Sequence, residues 1–122
     1  MGASFKQLVV WQRAVELSVA IYHLTSSFPK EEQFGLTSQP RRASVSVASN
    51  IAEGYGRSSR GEYLLFLGHA RGSISELQTQ LIIASSLNFG PPGSLATAEK
   101  LSEDVSRLLN ALIDKLRVKS RV

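Results

Sequence analysis

The sequence contains no cysteine, which excludes disulfide staples, thiolate metal sites and cysteine nucleophiles. That absence suits a reducing cytoplasm, the compartment the sequence predicts. Long apolar runs are also missing: no stretch approaches the roughly 18 residues a membrane span needs. The N-terminal MGASFKQLVVWQ, with one lysine and no adequate apolar core, does not read as a signal peptide. There are only two histidines, on separate predicted helices, where a zinc site needs three or four ligands. No Glu-x-x-His pair occurs, so a di-iron bundle is not indicated. The glycines of GYGRSSRG (Gly54, Gly56, Gly61) follow no strand pattern and lead to no Lys-Ser/Thr, so they are not a phosphate loop. No catalytic residue, metal or cofactor is expected, and the chain does not read as an enzyme.

Charge is modest as well. Lys and Arg number 14 against 10 Asp and Glu, a net charge of +4, and the excess sits near the two termini. A balance this slight permits binding to a polyanion without requiring it. Aromatic residues make up 7% of the chain, too few to indicate base-stacking recognition of single strands.

What is present is apolar periodicity. At 122 residues and 43% hydrophobic content, residues 1–122 form one domain with a real core. Val10, Ala14, Leu17, Ile21, Leu24 and Phe28 alternate by four and three, marking a helix over about residues 7–27 that Phe28-Pro29 ends. A turn is expected over Lys30 to Phe34. Gly35 and Thr37/Ser38 then open a second helix over about 37–54, with Pro40 in its first turn, where a missing N–H leaves no bond unmade. Ser59 and Glu62 have capping-box spacing, so a third helix starts near Arg60 and runs to about 87. NFGPPG turns the chain, and Ser94 is the expected cap of a fourth helix over about 94–117. Its apolar row is Leu95, Ala98, Leu101, Val105, Leu108, Leu112 and Leu116, and residues 118–122 follow as a basic tail. Four amphipathic helices with short connections predict an all-α, antiparallel up-down-up-down four-helix bundle.

The second helix is the centre of the pattern. Ala43, Ser44, Ser46, Ala48, Ser49 and Ala52 give it a thin waist that neighbours can approach closely. It carries a polar stripe of Gln39, Ser46, Asn50 and Glu53, and the third helix carries another of His69, Ser73, Glu76 and Gln80. Polar groups so placed need partners, and these eight are expected to form a structural network within or between subunits. Gly68 and Gly72, inside the third helix, each cost about 1 kcal/mol against alanine, so close backbone approach is their expected reason.

The run FPKEEQFGLTSQPRRASVSVASNIAEG, then Phe66-Leu67, Ala70 to Ser73 and Glu76 to Leu81, with Val10-Trp11-Gln12 upstream, resembles the bacterial 23S rRNA intervening-sequence proteins. These are also called four helix bundle proteins, and the likeness covers about residues 5–90. The resemblance implies an antiparallel four-helix bundle assembling as a homopentamer, with a poorly known activity. Members were first noticed as reading frames inside intervening sequences of ribosomal RNA genes. The accessory variability determinants of diversity-generating retroelements, similar in fold, form a basic pentameric barrel that binds nucleic acid and a reverse transcriptase. A binding or scaffold protein is therefore implied.

The functional candidates are basic: Arg41, Arg42, Arg57, Arg60 and Arg71, with Arg117, Lys119 and Arg121 at the C-terminal end. A ring of five subunits would carry +20, five times +4, a field that binds phosphates without base readout. RNA or DNA is the favoured partner beside the chain itself. The rival reading is a protein–protein adaptor, for example for a reverse transcriptase, whose arginines only solvate it. An enzyme survives only if one pocket gathers Glu53, His69 and Glu76.

Overall fold

The computed structural model describes residues 4–120. Four helices follow one another: α1 (Val9–Thr25), α2 (Ser38–Tyr55), α3 (Arg60–Ser86) and α4 (Pro92–Ser120). Single 3-10 turns lie at Phe5–Gln7 and Lys30–Glu32, and no strand occurs among the described residues. α1 packs against α2 and α4, and α3 packs against the same two, so the four helices enclose one core as a four-helix bundle.

Local chemistry sets most helix ends where the sequence put them. The serines after α1 cap its last carbonyls: the Ser26 hydroxyl donates to His23 O and that of Ser27 to Leu24 O. Thr37 makes no side-chain cap at the start of α2. Glu32 does that work from the preceding turn, its carboxylate accepting from Leu36 N at 3.0 Å and its carbonyl from Thr37 N at 2.9 Å. Pro40 is buried in the first turn of α2. Ser59 caps α3 by accepting from Glu62 N at 3.1 Å, as the capping-box spacing requires.

The fourth helix differs from expectation at both ends. It begins at Pro92, not Ser94, because a proline in the first turn has no N–H to leave unbonded and Leu95 N already reaches Pro91 O at 3.0 Å. It continues through Ser120, so residues 118–120 are helix and not tail. Its buried row is also shifted. Leu95, Ala98, Val105, Leu109 and Ile113 are in the core, while Leu101, Leu108, Leu112 and Leu116 are only partly buried against it. The doublets Leu108-Leu109 and Leu112-Ile113 offered two rows of equal hydrophobicity. Packing against α1 and α3 selected the other one, with Ser102 buried between and its hydroxyl donating to Glu99 O.

Glycine placement supplies a second correction. A Cβ at Gly68 or Gly72 would meet nothing within 4 Å, so neither glycine marks a close approach inside the chain. The close approach is at Gly54, where a Cβ would lie 2.8 Å from Phe66 Cβ and 3.1 Å from Tyr63 Cδ1. Gly90, at φ +77°, turns the chain between α3 and α4, and its bare Cα lets the turn sit on Leu24 and Phe28.

Gly54→Ala should therefore destabilise by about 1–3 kcal/mol, because the new methyl meets a Cβ that cannot rotate away. Gly68→Ala should stabilise by up to about 1 kcal/mol. Denaturant unfolding of both variants beside the parent checks the pair, and equal midpoints would contradict it.

Candidate nucleic-acid interface

The arginines divide by what their neighbours offer. Arg41 and Arg42 are adjacent on α2, so their side chains leave the helix about 100° apart. Arg41 turns toward α1, where Nε donates to Thr25 Oγ1 at 2.8 Å and the guanidinium lies over the Tyr22 ring, 4.6 Å from its centroid. Thr25, buried at the end of α1, in turn donates to Ile21 O. Arg41 is thus committed to joining α1 and α2. No spacing in the sequence signals that contact, because the partners lie across the loop between the two helices.

Arg57 is committed as well. It pairs with Glu53 at 2.6 Å, one turn back along the chain, and lies over the Phe66 ring at 4.5 Å. Arg13 bonds Glu16 and Arg107 bonds Asp104. The Arg13 guanidinium is raised above its ordinary value chiefly by the Glu16 hydrogen bond and then by the charge of Glu16, with Asp104 adding to them. Burial, and secondarily Tyr55, pushes the Tyr63 phenol up; the two rings meet edge to face beside Gly54.

Arg42, Arg60, Arg71 and Arg117 are exposed, and none forms an ion pair among the described residues. Arg60 opens α3 beside the α2–α3 connection, Arg71 is mid-α3 and Arg117 is in the last turns of α4. The side chain of Lys119 and all of Arg121 lie outside the described residues.

The eight-residue polar network is only partly assembled. Asn50 Nδ2 donates to Ser46 O at 2.8 Å and to Ser46 Oγ at 3.0 Å, and Ser46 Oγ lies 2.9 Å from Ser73 Oγ across the α2–α3 seam. Gln80, 6% exposed, donates to Glu76 at 3.4 Å, and its own Oε1 is buried without a partner. Gln39 and Glu76 reach the group only by lining the same cleft, about 340 Å³, with Arg42, Ala43, Ser46 and Ser73. Glu53 and His69 do not join it. Glu53 is taken by Arg57, and His69 is exposed against the edge of Phe66. The cleft that Glu76 lines includes neither Glu53 nor His69, and no cluster of three potential metal-ligating side chains occurs among the described residues.

A second polar contact went unforeseen. Ser44, fully buried on α2, donates to Arg41 O and lies 3.2 Å from Ser18 Oγ of α1. Its signal was a serine at the register of Pro40, Val47 and Ile51, the buried face of α2. These distinctions set the cost of substitution. Asn50→Leu should cost about 1–2 kcal/mol, since it removes the amide that donates to Ser46 O and Ser46 Oγ in a half-buried seam. Glu53→Leu should cost no more than about 1 kcal/mol, the range of an exposed pair. Chemical unfolding distinguishes them, and a Glu53 effect larger than that of Asn50 would reverse the ranking.

No helix is long and apolar enough to cross a membrane among the described residues. Among curated proteins, none matches the chain. Among solved structures, it is similar to a protein of unknown function from the S23 ribosomal protein family of Bacteroides thetaiotaomicron. The TM-score is 0.79 at 22% identity, covering 87% of this chain and 96% of that one. At that identity the likeness shows the fold. The model of the 23S rRNA-intervening sequence protein family matches residues 6–111, nearly the whole bundle and both polar stripes. The chain belongs to the 23S rRNA-intervening sequence protein family.

Proposed function

We propose that the protein is a non-enzymatic, cytoplasmic homo-oligomer that binds nucleic acid independently of sequence. Its contacts are then phosphates, made by Arg42, Arg60, Arg71 and Arg117. The observation that carries this reading is the sorting of the arginines. Arg13, Arg41, Arg57 and Arg107 are engaged within the chain, whereas these four are exposed without a carboxylate partner among the described residues. An unpaired guanidinium offers a planar fork of donors that matches phosphate oxygens. Arg41 and Arg57 stand apart from these four because each is already held within the chain, Arg41 through Nε to Thr25 and Arg57 by the Glu53 carboxylate.

Cross-helix contacts support an up-down-up-down course. Thr25 meets Arg41 while Ser18 meets Ser44, so α1 descends as α2 rises. Ser46 meets Ser73 while Gly54 lies against Tyr63 and Phe66, so α3 again runs the other way. In that course the start of α3 and the end of α4 fall at one end of the bundle, which brings Arg60 and Arg117 to the same rim. Assembly is supported by apolar residues left in solvent on the outer face of α1 and α2: Val15, Val19, Tyr22 and Val45 are 36–51% exposed. A ring of five, as the family resemblance implies, multiplies a small charge into a strong local field. The same apolar residues favour the second reading, an adaptor that docks a protein partner and never touches nucleic acid.

Light scattering should give a mass several times 13.3 kDa; a monomer at micromolar concentration would overturn the assembly. Retention of RNA and DNA should fall steeply with salt, each phosphate contact contributing a slope of about −0.9 on duplex DNA and about −0.7 on single strands. Arg42, Arg60 and Arg117 changed together to Gln should flatten that slope while the bundle stays folded. Replacing Arg41 and Arg57 should instead lower stability. An intact oligomer that retains neither nucleic acid at low salt would leave the adaptor.

A further inference from the structure

We infer that the cleft between α2 and α3 is a subsite for one ribose-phosphate unit of an RNA strand, with Arg42 taking the phosphodiester and Glu76 accepting the 2′-hydroxyl. The inference rests on the proposed nucleic-acid reading and names which nucleic acid that surface prefers.

The cleft is built from two walls of opposite character. α2 contributes Gln39, Arg42 and Ser46, and α3 contributes Ser73 and Glu76. Its volume, about 340 Å³, lies at the small end of ligand pockets. That is room for a sugar and its phosphate. Arg42 and Glu76 share this space without forming an ion pair.

The carboxylate is steadied from its own helix by Gln80, whose Nε2 donates to Glu76 Oε2 at 3.4 Å. Gln80 does this from a buried position in which its Oε1 has no partner, an arrangement that is destabilising by itself. It leaves Glu76 Oε1 open to accept. Across the floor, Asn50 donates to Ser46 Oγ, and Ser46 and Ser73 share one hydrogen bond. Each serine brings one hydroxyl hydrogen and their mutual bond uses one, so a second hydroxyl hydrogen is free to donate into the cleft.

The cleft therefore presents a guanidinium on one wall, a carboxylate acceptor on the other, and one hydroxyl donor from the serine pair between them. A bare anion would meet Arg42 but also the repulsion of Glu76. A group that satisfies both must carry a negative oxygen and a hydroxyl donor close together. An RNA strand does so at every residue, with its 2′-hydroxyl beside the 3′-phosphate. A DNA strand lacks the donor and would leave the Glu76 carboxylate facing phosphate without a partner.

The test compares short single strands of one sequence, as RNA, DNA and 2′-O-methyl RNA, by fluorescence anisotropy at low salt with the intact protein. RNA should bind roughly tenfold more tightly than DNA, the size of one hydrogen bond to a charged group. The 2′-O-methyl strand should behave as DNA, an arm that needs no variant. Glu76→Ala should bring RNA and DNA to similar affinities by strengthening DNA binding and weakening RNA binding. Arg42→Gln should weaken both. Equal affinity of the parent for RNA and DNA, or a 2′-O-methyl strand bound as tightly as RNA, would overturn this inference and leave the phosphate-binding function standing. No binding of any strand would overturn both.

Discussion

Everything else in the molecule depends on how closely α2 can approach its neighbours. Side chains on ordinary helices hold their axes about 8–10 Å apart. α2 buries only Pro40, Ala43, Ser44, Val47, Ile51 and Gly54, so little stands between its backbone and those of α1 and α3. At Gly54 no side chain stands there, and the helix rests on Tyr63 and Phe66. That closeness lets side chains as short as serine bond between helices, Ser44 to Ser18 on one side and Ser46 to Ser73 on the other. Larger residues would bury more area, but they would part the seams in which these hydroxyls meet.

The same closeness sorts the charged residues. Near the start of α2, Arg41 reaches Thr25 and Tyr22 of α1 and is spent on joining the two helices. Arg42, one residue on, emerges over the cleft with α3 and finds no carboxylate in contact. At the other end of α2, Glu53 and Arg57 close on one another, with Phe66 beneath the guanidinium. An exposed pair of that kind contributes little to stability. Its two charges offset one another, which leaves Arg60 as the exposed arginine near the α2–α3 connection without an ion pair among the described residues.

The sequence by itself determined the number of helices and most of their ends. These follow from interactions within a few residues: the alternating apolar spacing of α1, the Phe28-Pro29 stop, Ser59 capping Glu62, and the turn through NFGPPG. The thin waist of α2 and its polar stripe were also legible, because residue size and helical register are local properties. The choices left to tertiary structure were those in which local energies are equal. On α4, Leu108 and Leu109 are alike in propensity and hydrophobicity, and only contact with α1 and α3 buried the second. Gly54 and Gly72 are both helical glycines, yet only one has another helix against it. Arg41 and Arg42 are identical side chains one residue apart, and the difference between a structural clamp and a free guanidinium was made by what stood across from each. A partner distant in the chain leaves no trace in the spacing of the residues it selects.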